Sequence, residues 1–109
     1  MPKHKLNEPI ECADGFRMSV QANEGAYCEP RIAGAERYEA VEVGYPSHSE
    51  PLLMEWAEDP DAPTNTVYGW VPSQQVALVI AKHGGMVSGE LPPGVPKLVP
   101  TNVKYHSQR

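Results

Sequence analysis

Four groups of residues in this chain could take part in chemistry, and their spacing decides what each is fit for. Cys28 has the makings of a nucleophile: Arg31, three positions on, is placed to favour a thiolate, and His48 is a base that the fold could bring beside it. No motif pairs Cys28 with that base, and cysteine serves equally well as a small buried residue. Cys12 and Cys28 form no CxxC pair, which gives little support to a redox or zinc motif; both are expected as reduced thiols, with a single disulfide between them as the alternative that their separation in space decides. His4, His48, His83 and His106 fall at no metal-ligand spacing and read as surface histidines. The acids Glu55, Glu58, Asp59 and Asp61 lack the ligand spacing and turn glycine of a calcium loop, which leaves a solvated ridge or a binding face. Gly84 and Gly85 follow a helical pattern instead of opening one, so they suit a helix cap and not a phosphate loop.

Catalysis therefore has no recognisable constellation, and the expectation is a protein without cofactor or metal that acts by binding. Charge narrows the partner. Residues 8 to 61 hold thirteen acids against Arg17, Arg31 and Arg37, a balance of −10 inside a chain whose net charge is −5. Affinity for nucleic acid depends on neutralising phosphates, so direct binding to nucleic acid is disfavoured. An acidic face instead complements basic grooves of proteins that handle nucleic acid, and such fields speed association. Tyr27, Tyr38, Tyr45, Trp56, Tyr68 and Trp70 are of the types that anchor interfaces. With one phenylalanine in the chain, several of them must also build the core. Tyr68 and Trp70 share a strand face and are expected mostly buried; Tyr27 and Trp56, on connecting segments, are expected exposed.

The elements that must position these residues belong to one domain, because 109 residues cannot furnish two adequate cores. Strict alternation predicts a strand from residue 16 to 22, with Phe16, Met18, Val20 and Ala22 inward. A second strand is predicted from 38 to 45, with Val41, Val43 and Tyr45 on one face, and a third from 66 to 71, rich in β-branched and aromatic residues. Leu52, Leu53 and Trp56 have the spacing of a short helix over 52 to 58, ended by Pro60 and Pro63. Pro72 suits the first turn of a main helix running to His83, with Val76, Val79 and Ile80 toward the sheet.

The expected fold class is α+β: a small antiparallel sheet of about three strands with one main helix packed on it, long loops and a Pro-rich tail. Its division is an arm over 1–13, a domain over 14–88 and an extended tail over 89–109, whose Val95, Leu98 and Val99 could dock on the domain or on a partner. No run approaches the length of a membrane span, and the first residues lack the apolar core of a signal peptide, so a cytoplasmic protein is the default.

The residue strings 16–22, 27–31, 41–47, 57–60 and 66–72, with Lys82, His83, Gly84 and Gly85, resemble a family of short, functionally unassigned proteins of tailed phages and prophages. The likeness covers residues 14–87 and carries over no site residues. It implies an accessory protein that inhibits host machinery such as a CRISPR effector, a restriction enzyme or RNA polymerase, and hence the host cytoplasm. On this reading the partner is a host protein or ribonucleoprotein complex, and Glu55, Glu58, Asp59, Asp61, Tyr27, Arg31 and Trp56 form the contact surface. Two rival expectations stand beside it: a minor virion or assembly protein docking through the Pro-rich tail, and a small enzyme using Cys28.

Overall fold

The computed structural model describes residues 5–102. It is an α+β arrangement of five antiparallel strands and, among the described residues, one α-helix. The strands are β1 (Ile10–Cys12), β2 (Arg17–Gln21), β3 (Ala40–Gly44), β4 (Val67–Pro72) and β5 (Met86–Ser88), in the spatial order β4-β3-β2-β1-β5. The expected strands correspond to β2, β3 and β4. The sheet is larger than the expected three because β1 and β5 have three residues each, too short to show alternation. β1 falls within the stretch read as an arm, and it joins the sheet by pairing Ile10 with Met18 on one side and Cys12 with Met86 on the other.

The core forms where the alternating residues of β2 meet those of β3 and the helix. Ile10, Met18, Val20, Val41, Val43, Val71, Val76, Val79 and Ile80 are all buried, in the pattern that the periodicities require. The helix α1 (Ser73–Lys82) packs on β4 and on a 3-10 turn, Pro51–Trp56. Pro72 is not inside its first turn. It closes β4 opposite Ala40 and serves as the N-cap, while Ser73 donates its backbone N–H to Glu39 O and its hydroxyl to Tyr38 O.

At the other end the two glycines act as the spacing predicts. Gly84 and Gly85 have φ of 91° and 92°, Gly84 N–H donates to Ala81 O, and Gly85 N–H donates to Ile80 O. These are the paired bonds that finish a helix through left-handed residues.

The segment 52 to 58 departs from the expected helix. It is the 3-10 turn Pro51–Trp56, capped by the Glu50 carboxylate on Leu52 N–H, and of its apolar residues Leu53 is fully buried. The turn stops at Ala57 because Ala57 bridges to Tyr68, and Glu58 N–H donates to Val67 O; β4 competes successfully for this backbone. Tyr45 also departs. It takes φ of 50° after β3 and is 59% exposed, so it leaves the face that Val41 and Val43 share.

Both sheet edges are covered. Beyond β5, Met86 N–H donates to Leu98 O; beyond β4, Ala57 bridges Tyr68 and Glu58 N–H donates to Val67 O. Unpaired edges invite other chains, so these bonds keep the sheet closed to them. The first of them also shows where the Pro-rich segment goes through residue 102. Val95 is buried, Leu98 and Val99 pack on the core, and Tyr38 N–H donates to Pro93 O. The rest of the expected tail, 103–109, lies outside the described residues, as do His4 and His106.

Candidate functional site

The site is built around an irregularity in β4. In the β3–β4 ladder Val41 faces Val71 and Val43 faces Tyr68, so two residue steps on β3 match three on β4. The extra residue is a bulge at Gly69 and Trp70, and Trp70 adopts φ of 55°. The expectation that Tyr68 and Trp70 share a buried face is thereby corrected. Tyr68 and Val71 both point inward at 0% exposure, while Trp70 is turned out at 49%. A glycine within an otherwise β-branched strand signals a bulge or a close approach, and Gly69 was the sequence signal for this one.

Tyr27 occupies the room that Gly69 leaves. A Cβ at Gly69 would lie 3.2 Å from Tyr27 Cβ. Tyr27 is held there by its own N–H donating to the Glu42 carboxylate at 2.8 Å and by its carbonyl accepting from Trp70. Its ring stacks on Trp70 with centroids 4.9 Å apart and planes 23° from parallel. The Arg31 guanidinium lies over the Tyr27 ring, with Cζ 5.2 Å from the centroid. Such aromatic and cation contacts contribute about 0.5–1.5 kcal/mol each.

Beside this stack is an open notch of about 330 Å³ lined by Tyr27, Trp56, Glu58, Val67, Gly69 and Trp70. The β4 edge pulls Glu58 into place through its backbone, and Trp56, half-buried at the end of the 3-10 turn, packs against the core. Of the residues singled out in the sequence, Tyr27, Arg31, Trp56 and Glu58 are thus brought together. Glu55, Asp59 and Asp61 are exposed but do not line the notch. Asp59 shapes its own loop, its N–H donating to Thr66 Oγ1 and its carboxylate accepting from Asp61 N–H. Among the described residues no cation pairs with Glu55, Glu58, Asp59 or Asp61, so the segment presents uncompensated negative charge.

Cys28 is structural in its setting. It is fully buried, its Sγ is 3.2 Å from Asn23 O, and burial pushes its thiol up. Arg31 and the Asn23 bond pull the other way and are outweighed. Burial likewise pushes the Cys12 thiol up, to about 11, with Asp14 and Glu11 adding to the effect. Both cysteines are free thiols. His48, exposed, bonds the neighbouring Ser47 hydroxyl.

A second cluster was not foreseen. Glu50, 1% exposed, has one carboxylate oxygen 2.6 Å from His83 Nε2 and the other 2.8 Å from Lys82 Nζ. His83 Nδ1 is 2.6 Å from Asp14, and the imidazole stacks on Phe16 with centroids 4.1 Å apart. Burial alone would raise the Glu50 carboxyl, but bonds from Lys82, Leu52 N–H and His83 hold it below its usual range. His83 is therefore no loose surface histidine. With each ring nitrogen and both Glu50 oxygens engaged, the cluster clamps the β1–β2 turn, the 3-10 turn and the end of α1 together.

Among the described residues no group of three or more His, Cys, Asp or Glu could hold a metal ion, and no helix is long and apolar enough to cross a membrane. No family model, curated protein or solved structure matches this chain.

Proposed function

We propose that the protein acts by docking another macromolecule on the face formed by Tyr27, Trp56, Trp70, Arg31 and Glu58. The observation that carries this reading is Trp70, a bulky side chain held at a left-handed φ and half in solvent. That conformation costs about 1–2 kcal/mol in a residue with a Cβ, and its visible effect is to place an indole on the surface against Tyr27. Tryptophan, tyrosine and arginine are the residue types that dominate interface energetics.

The exposed acids Glu55, Asp59 and Asp61 flank Trp56 and Glu58 along the chain and supply a field that draws a basic partner. The resemblance to short phage proteins supplies the partner class: a host defence or nucleic-acid-handling complex, with a CRISPR effector as the most concrete version, met in the host cytoplasm. Inhibition here is occupation of a surface, with no bond made or broken. The buried setting of Cys28 favours this reading over a cysteine-dependent enzyme. The Pro-rich segment through residue 102 is engaged by its own domain, which favours it over docking through that segment.

The test is capture of purified candidate effectors, with inhibition of their nuclease or polymerase activity read in parallel. Replacing Glu55, Glu58 and Asp59 by lysine is expected to abolish capture while leaving thermal unfolding nearly unchanged. Undiminished capture by that variant removes the charge argument.

A further inference from the structure

The notch beside the Tyr27–Trp70 stack has a composition that selects the chemistry of its occupant. Its lining is aromatic at Trp56, Trp70 and Tyr27 and apolar at Val67, and its one carboxylate is that of Glu58. At about 330 Å³ it sits at the small end of the roughly 300–1,000 Å³ range of ligand sites, which suits a side-chain head. An aromatic face carries negative charge density and attracts cations, most of all those that hold water weakly. A carboxylate at the rim adds direct attraction. An anionic or a neutral polar group would find as side-chain donors the two indole N–H groups and the Tyr27 hydroxyl, and an anion would also meet the Glu58 carboxylate.

Two further observations point the same way. Tyr27 already carries a guanidinium, that of Arg31, so this aromatic surface holds a cation of its own chain. Glu58 has no cationic partner among the described residues, and the neighbouring Glu55, Asp59 and Asp61 have none either. The aromatic notch thus opens on a segment whose negative charge is uncompensated.

We propose that this notch receives a weakly hydrated cationic side chain of the partner, an arginine guanidinium or an alkylated lysine ammonium, seated between Trp56 and Trp70 with Glu58 as its counter-charge. The inference rests on the docking reading above and specifies what the centre of that interface recognises. Both cations share the chemistry of a diffuse positive charge with apolar edges, and one experiment separates them.

The full chain is titrated with N-acetyl-arginine methylamide and with N-acetyl-trimethyllysine methylamide. The neutral citrulline and norleucine analogues serve as controls. The readout is the pair of indole N–H resonances, which are unambiguous because the chain has two tryptophans. Both cationic probes are expected to shift both indoles saturably, with dissociation constants in roughly the millimolar range, and the neutral probes are expected to leave them in place. Glu58→Gln, at an exposed position, is expected to weaken the cations about fivefold, the scale of one exposed charge pair. Trp56→Leu removes the binding and Trp56→Phe restores part of it, with the circular dichroism of each variant establishing that it is folded. Tighter binding of the arginine probe assigns an unmodified basic segment, and tighter binding of trimethyllysine assigns a modified one.

Equal shifts by citrulline and arginine, or still indoles throughout, overturn the inference. If the indoles ignore the probes while the same face still captures a partner protein, docking stands and cation recognition falls. Saturable cation binding supports the inference whether or not a candidate effector is captured.

Discussion

His83 Nε2 and the Glu50 carboxylate meet at 2.6 Å, and Glu50 keeps 1% of its surface in contact with solvent. A carboxylate so placed leaves strong constraints behind when it is removed. Glu50→Ala strips the 3-10 turn of its cap and leaves Lys82 and His83 without their shared acceptor. The expected loss is about 2–3 kcal/mol, below the usual cost of breaking a buried pair because the Lys82 side chain is 45% exposed and stays hydrated. Chemical denaturation at neutral pH checks it.

The same cluster sets an acid limit. Glu50 and Asp14 are both held below their ordinary values of 4.5 and 3.8. For each, burial pushes the carboxyl up and hydrogen bonds more than reverse it, with Lys82 the strongest of these at Glu50 and Phe16 N–H at Asp14. Groups with a lowered folded-state pKa stabilise the fold above their unfolded values and cease to do so as the pH falls through the folded ones. Stability is expected to hold down to about pH 5 and to decline below it. In Glu50→Gln that decline should be shallower, because one of the two titrating carboxyls is gone. An unchanged slope would show that Glu50 contributes nothing to acid unfolding.

Trp70→Gly should separate binding from stability. Glycine relieves the left-handed conformation, worth about 1–2 kcal/mol, but gives up the stack on Tyr27, about 0.5–1.5 kcal/mol, and the burial of roughly half an indole, about 2–3 kcal/mol. The melting temperature is expected to fall by several degrees with the fold retained. Partner capture by the folded variant should be lost, and Gly69→Ala, whose Cβ would lie 3.2 Å from Tyr27 Cβ and press that side chain aside by a few tenths of an ångström, should weaken it.

Gly94→Ala tests whether the Pro-rich segment belongs to the domain. Gly94 has φ of 103°, and a Cβ there would lie 2.6 Å from Tyr38 O and 2.8 Å from Tyr38 N. The substitution is expected to lift this segment from Tyr38, just ahead of β3, and to cost at least about 1–3 kcal/mol. Deleting residues 91–109 should lower stability similarly by uncovering Met86 and freeing Tyr38 N–H. Melting curves at two protein concentrations distinguish this internal role from a role in self-association.

The thiols should be slow to alkylate. Cys12 is 1% exposed with a pKa near 11, and Cys28 is 0% exposed with its thiol pushed up by burial. Iodoacetamide at pH 8 is expected to modify neither in the native protein and both after unfolding, read by mass. Rapid native labelling of Cys28 would reopen the enzyme reading.

Some of this architecture was legible along the chain because it depends on near neighbours. Alternation from Phe16 to Val20 fixed the inward face of β2, spacing at Val76, Val79 and Ile80 fixed the buried stripe of α1, and Gly84 with Gly85 fixed its end. Each of these follows from backbone period or from a local φ that glycine permits. The residues Tyr27, Arg31, Trp56 and Glu58 could be named as surface anchors from their types alone.

Their meeting could not. Positions 27, 56 and 70 are joined by cross-strand register, and the register turns on one extra residue at Gly69 and Trp70, which moves an indole from core to surface. Likewise, Glu50 is an unremarkable acid until Asp14, Lys82 and His83 arrive from the two ends of the chain, and β1 and β5 are strands because each has the other to pair with. A sequence specifies each residue's period and chemistry through short-range sterics and solvation. Contacts between distant segments are decided when the whole chain closes around one core, and the tertiary structure alone records that choice.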